Sequence, residues 1–172
     1  MKKLSAGILL FKVADTQLKV LLVHPGGPFW AKKDLGAWSI PKGEYEEGQD
    51  TVEAALRELN EETGLTLENV DLIPLDAVKQ SSGKVVTAWA AEHDFDVTTL
   101  VSNTFEMEWP KGTGMREFPE VDRAEWFASR EARRRVLAPQ AEFIDRLIAK
   151  LRAEAREIAD DDEPTSEGSA SA

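Results

Sequence analysis

The chain has 172 residues, 42% hydrophobic and 31% charged, with 21 Lys and Arg against 32 Asp and Glu, a formal charge of −11 and no cysteine. That length suits one domain able to bury a full hydrophobic core, and no apolar run approaches the length needed to span a bilayer. The lack of cysteine excludes a disulfide framework and a thiolate site, and the acidic balance argues against stable nucleic-acid binding, which needs clustered Lys and Arg.

Met1, Lys2 and Lys3 precede an apolar patch, as in a signal peptide, but Lys12 falls where a small-residue cleavage site would begin. The segment therefore reads as a first strand, and the cytoplasm is the expected location. Residues 4–13 and 19–24 are predicted strands around a turn at Ala14, Asp15, Thr16 and Gln17. A Pro/Gly loop follows His24, and Phe29, Trp30 and Trp38 precede Pro41-Lys42-Gly43. His24, at a strand end, reads as structural, and the three arginines Arg133, Arg134 and Arg135 as a solvated helix face.

From Asp50 the pattern turns helical. Asp50 and Glu53 make a capping-box-like start, and Val52, Ala55, Leu56 and Leu59 form an apolar stripe. Gly64 supplies the natural C-cap. Further strands are predicted over residues 70–78, 84–95, 104–109 and 121–127, and helices over 129–137 and from Pro139 to about Ile158. Asp160, Asp161, Asp162, Glu163 and Glu167 then fall in a stretch with no Lys or Arg; without these five acids the net charge is −6. Residues 1–158 are the expected domain, and 159–172 an acidic, Ser/Gly/Ala-rich tail expected to be disordered.

One helix breaks local rules. Glu58, Glu61 and Glu62 crowd its last turn, where the macrodipole is negative and spacings of three and four bring like charges together. Only Arg57 is nearby as a cation. The missing compensation is a divalent ion bound by hard carboxylate ligands. At about 100° per residue the three glutamates span an arc of about 100°, centred about 120° from the apolar stripe. Thr51 and Ala54 lie on the same side, and their small size is expected to leave the face open.

Gly43, Arg57, Glu58, Leu59, Glu61, Glu62, Gly64 and Leu65 resemble the Nudix box, Gly-x5-Glu-x7-Arg-Glu-U-x-Glu-Glu-x-Gly-U, where U is a bulky aliphatic. The one departure is Gln49, which stands where the pattern has its first glutamate. A neutral amide cannot replace an anion but still accepts a hydrogen bond, so weakened metal binding is expected. The resemblance covers about residues 4–152. It implies an α/β fold, a Nudix-type α/β/α sandwich with a mixed sheet, and hydrolysis of a pyrophosphate bond in a nucleoside diphosphate-linked substrate with Mg2+ or Mn2+.

By that resemblance Glu58 and Glu62 are metal ligands, Glu61 shares metal binding or proton removal, and Arg57 orients a glutamate. The Gly43 carbonyl adds a ligand, and Lys42 faces the substrate phosphates. Candidates for a further carboxylate are Glu106, Glu108, Glu117 and Glu120, with Glu106 and Glu120 preferred. Trp30 and Trp38 are candidates for stacking on a base. Pro41-Lys42-Gly43 resembles the approach in members acting on dinucleoside polyphosphates, which favours that substrate class. The alternatives are a non-hydrolytic nucleotide-sensing Nudix-fold protein and a housecleaning nucleoside triphosphate pyrophosphatase.

Overall fold

The computed structural model describes residues 3–163. Strands β1 (Leu4–Ala14) and β2 (Gln17–Pro25) form a hairpin turning at Asp15 and Thr16, both with positive φ. They are followed by β3 (Lys42–Tyr45), α1 (Thr51–Thr63), β4 (Leu72–Lys79) and β5 (Val85–Glu92). Next come β6 (Thr104–Glu108), β7 (Met115–Pro119), β8 (Val121–Ala128), α2 (Ser129–Arg135) and α3 (Ala141–Ala153).

The main sheet runs β4-β5-β1-β2-β8, with β3 paired to β1, while β6 and β7 form a separate hairpin. It is mixed: β1 and β5 are parallel and the other pairs antiparallel. Period-two alternation sends the two faces of β1 and β2 to opposite layers. Ala6, Ile8, Leu10, Leu21 and Val23 pack with Ala54, Ala55 and Leu59 of α1. Leu9, Phe11, Leu18, Val20 and Leu22 pack with Phe143, Ile144, Leu147, Ile148 and Leu151 of α3. The result is the expected α/β/α sandwich. Among the described residues no helix is long and apolar enough to cross a membrane.

The sheet forks at β1. Its N-terminal residues Leu4 to Gly7 pair with β3, and its C-terminal residues Phe11 to Ala14 pair with β2 on the same side. The 38–41 segment bridges the fork through Val23 N–H to the Ser39 carbonyl (2.8 Å) and Ile8 N–H to the Pro41 carbonyl (3.1 Å).

Two strands were not anticipated. β3 is four residues long and shows no alternation, so pairing with β1 rather than its own pattern makes it a strand. β7 is polar and largely exposed. The last helix also ends early: α3 stops at Ala153, the chain turns through Ala155 at φ 62°, and the predicted helix to Ile158 is not formed.

The expected tail boundary at residue 159 also needs correcting. The Ala159 N–H donates to the Thr16 carbonyl (2.8 Å), and Asp160 accepts from both terminal nitrogens of Arg133 at 2.8 and 2.7 Å. Arg152 pairs with Glu163 at 2.7 Å. Residues 159–163 are therefore tied to the domain by charge-assisted bonds that an acidic composition does not reveal. The remaining tail positions, 164–172, lie outside the described residues.

Candidate active site

Helix α1 delivers the glutamates, and both its ends are closed as its sequence demands. The Asp50 carboxylate accepts from the Glu53 N–H (3.0 Å), and Gly64, at φ 87°, donates its N–H to the Asn60 carbonyl (2.7 Å). Two last-turn carbonyls are taken up from outside. Val101 N–H donates to Thr63 (3.1 Å) and Asn103 N–H to Glu61 (2.8 Å). The Asn103 carbonyl accepts from Glu120 N–H (2.8 Å), whose own carbonyl accepts from Gly26 N–H (2.9 Å). This backbone relay fixes Glu120 and the loop after β2 against α1.

Opposite the helix lies β3. A methyl group built on Gly43 would sit 2.0 Å from the Glu58 Cδ and Oε2 atoms and 2.5 Å from Oε1. Only glycine lets this carboxylate lie against the strand. The Lys42 N–H donates to Glu62 Oε1 at 3.3 Å. Arg57 reaches Glu58 at 3.6 Å and Glu61 at 3.9 Å, so its charge lies between the two carboxylates.

A polar cavity of about 400 Å3 is bounded by Lys42, Gly43, Glu58, Glu61, Glu62 and Glu120. An adjoining space of about 280 Å3 in the fork shares Lys42, Gly43, Glu62 and Glu120 and adds Trp30 and Lys84. Burial, reinforced by Glu58 and Glu120 and opposed by Lys42, pushes the Glu62 carboxyl up to about 8. Burial and the neighbouring Glu61 raise Glu58, against Arg57. Burial and then Lys84 lower Lys42. Concentrated, partly desolvated negative charge is what a bound cation relieves. Among the described residues no three acidic or imidazole side chains already enclose a cation-sized point. The fit rests instead on hard oxygen donors around one cavity and on the space glycine leaves beside Glu58.

The structure thus brings together Lys42, Gly43, Arg57, Glu58, Glu61, Glu62 and Glu120. Glu106 is not among them: it is exposed on β6, opposite Glu117, which accepts from Thr104 Oγ1. Trp38 is not placed to meet a base either. It is 0% exposed in the core, its indole N–H bonded to Asp34 (2.8 Å) and its ring edge-on to Phe127. Trp30 lines the fork.

Ala54, expected on the open face, is 1% exposed and packs into the core, so the room beside the glutamates comes from Gly43 instead. Gln49 is exposed and accepts from the Glu46 N–H (2.8 Å), closing the loop before α1. His24 is buried, its Nε2–H donating to the Lys33 carbonyl (2.7 Å) and Nδ1 facing Asp122 (2.8 Å). Arg133, Arg134 and Arg135 are all engaged in ion pairs.

Glu44 and Lys84 were missed. They pair at 3.3 Å at the edge of the fork. The signal was available for Glu44, one residue past Gly43, but Lys84 arrives from the β4–β5 turn and has no local mark.

An α/β/α sandwich that sets a Lys-Gly strand against four glutamates around one cavity defines a hydrolase of phosphoanhydrides. The chain belongs to the NUDIX domain family, whose profile matches residues 1–151. At the family level it is a Nudix pyrophosphohydrolase acting on nucleotide-derived substrates. The chain is 30% identical over 110 residues to the asymmetrical bis(5'-nucleosyl)-tetraphosphatase of Rattus norvegicus, covering 57% of this chain and 71% of that protein. It is 44% identical over 55 residues to an RNA pyrophosphohydrolase of Xylella fastidiosa, covering 31% of this chain but only 29% of that protein. A C. elegans Ap4A hydrolase binary complex shares the fold, with a TM-score of 0.63 and 20% identity over 87% of this chain and 98% of that one. So does the NUDIX domain of Shewanella oneidensis NrtR complexed with ADP ribose, at 0.58 and 21% over 88% and 89%.

Proposed function

We propose that this protein hydrolyses a pyrophosphate bond in a nucleoside diphosphate-linked substrate with Mg2+ or Mn2+, that dinucleoside polyphosphates are its preferred class, and that it works in the cytoplasm. The observation that carries the reading is the convergence of Glu58, Glu61, Glu62 and Glu120 on one cavity beside Lys42. The substrate class draws support from the rat relative's name and from Pro41-Lys42-Gly43.

Glu58, Glu62, Glu120 and the Gly43 carbonyl would hold the metal. When bound, it screens the phosphate oxygens and lowers the pKa of an attacking water. Lys42 binds a phosphate of the substrate. Glu61 takes the proton as water adds to phosphorus and the bridging P–O bond breaks, leaving the departing phosphate with the electron pair. Arg57 holds Glu58 and Glu61 in line for these tasks.

The test is a panel of dinucleoside polyphosphates, nucleoside triphosphates and nucleotide sugars with Mg2+ or Mn2+, the products identified by chromatography. Preferential cleavage of the dinucleoside polyphosphates is expected. Nucleotides that raise the melting temperature yet stay uncleaved would make the protein a sensor. Preference for triphosphates would make it a housecleaning enzyme.

A further inference from the structure

His24, near the end of β2, is 0% exposed, yet both its ring nitrogens face acceptors. Nε2 lies 2.7 Å from the Lys33 carbonyl, and Nδ1 lies 2.8 Å from the Asp122 carboxylate. A neutral imidazole has one N–H and cannot serve both. Either the ring carries two protons or Asp122 carries one. The Asp122 side chain is 33% exposed and 3.8 Å from the Arg123 guanidinium, so its negative charge is solvated and balanced where it stands. The second proton therefore belongs to the ring, and the 2.8 Å contact has the length of a charge-assisted bond.

The other charged groups around the ring are engaged elsewhere. From the loop, Asp34 accepts from the Trp38 indole N–H and from Arg135 of α2, and Lys33 places its ammonium over Trp30 at 4.9 Å. From β8, Arg123 lies over the Trp38 ring at 5.2 Å, and that ring meets the imidazole edge-on at 5.2 Å. What the Lys33 carbonyl secures is a turn. The Lys33 N–H donates to the Trp30 carbonyl (3.0 Å), so one residue both closes the turn from Trp30 and fastens it to His24. Trp30 in turn walls the fork that also holds Lys42 and Glu62.

We infer that His24 is a positioning residue that works as an imidazolium: paired with Asp122, it fastens the Trp30–Lys33 turn to the sheet and so fixes one wall of the fork. Loss of a proton breaks this chain at a defined place. The remaining N–H stays with the carboxylate, the stronger acceptor, and Nε2 then turns a lone pair on the Lys33 carbonyl. The turn is released while the backbone pairing of β2 with β8 is kept. The effect on substrate rests on the hydrolysis proposed above, whereas the protonation of the ring does not.

The chain has two histidines, so imidazole nitrogen NMR, assigned with His93→Gln, reports on His24 directly. At neutral pH both His24 nitrogens should be protonated in the wild type. In Asp122→Asn the amide can donate to Nδ1, so the ring should be neutral, its proton on Nε2 and the Lys33 bond kept. On a dinucleoside polyphosphate, His24→Phe should raise KM about tenfold, the scale of one lost bond to a charged group, with kcat within about threefold. Wild-type KM should rise as pH climbs and His24 gives up its proton, and Asp122→Asn should remove that part of the rise. A wild-type ring with an unprotonated nitrogen at neutral pH overturns the inference. So does a wild-type KM in folded His24→Phe, or an unchanged pH profile in Asp122→Asn. If no substrate is cleaved, the proposed reaction fails, while the NMR comparison still decides the state of His24.

Discussion

Gly43→Ala separates folding from function more sharply than any other change at this site. The added methyl would meet Glu58 at 2.0 Å, far inside van der Waals contact. Gly43 does not have the positive φ that would strain alanine, and β3 keeps its pairing with β1. The nearest atoms, which must yield, are the far end of a flexible side chain, so Glu58 swings away and stability falls by about 1 kcal/mol or less, the low end for overpacking. For a protein of this size that is about 2–4 °C in melting temperature. Catalysis has no such slack. A displacement of about 1 Å at a positioned group costs about 100-fold in rate, and Arg57, which spans Glu58 and Glu61, loses one of its partners. Steady-state kinetics across a Mg2+ titration, beside thermal melts, should show a folded protein with kcat/KM down about 100-fold and a raised Mg2+ requirement. A variant with unchanged turnover and metal dependence would refute the placement of Glu58 against β3 as the centre of the site.

Glu120→Gln should lower kcat/KM by about 10- to 100-fold, on the scale of a lost metal-site group, while Glu106→Gln, exposed on β6, should leave kinetics within about twofold; equal losses would undo the relay argument. The Glu62 carboxyl, ordinarily near 4.5, is raised to about 8, so the folded metal-free protein holds the proton more tightly than the unfolded chain. Its stabilising share is complete below about pH 4.5 and is lost as pH climbs towards 8; melts in EDTA should fall over that window, and Glu62→Gln should flatten the slope. Asp160 is held well below its ordinary 3.8 by hydrogen bonds from Arg133, so its share is present above that pH and lost as pH falls through the lowered value. Asp160→Asn should lower stability at neutral pH by about 2 kcal/mol, typical of a charge-assisted bond, and a melting temperature unchanged within 1 °C, where about 4–8 °C is expected, would contradict it.

The parts of this site that were legible in the sequence are those fixed by local geometry. The capping residue Asp50, the C-cap Gly64 and the periodic apolar stripe place the helix, and the helix places Glu58, Glu61 and Glu62. What was hidden depends on long-range contacts. Glu106 and Glu120 look alike in sequence, and only the backbone relay from Glu61 through Asn103 puts Glu120 at the cavity. Trp30 and Trp38 lie in the same loop region, but Trp38 turns inward to Phe127 while Trp30 lines the fork. Composition marked residues 159–163 as tail because it registers their charge and cannot register Arg133, which neutralises Asp160 from 27 positions away.

Gln49 is where the box departs from its pattern, and its structural role limits what that departure costs. The expectation was that losing an anion there weakens metal binding. Arg57, however, is held within the helix by Glu58 and Glu61, and the Gln49 amide serves the turn by accepting from the Glu46 N–H. The charge that could balance the loss stands elsewhere: Glu120 adds to the negative field that raises both Glu58 and Glu62. A neutral residue at 49 is thus compatible with a working metal site if Glu120 supplies the fourth carboxylate. Restoring Gln49→Glu should then change the Mg2+ requirement far less than removing the charge at Glu120. Mg2+ titrations of the two variants decide it, and a marked gain from Gln49→Glu would return residue 49 to the metal site.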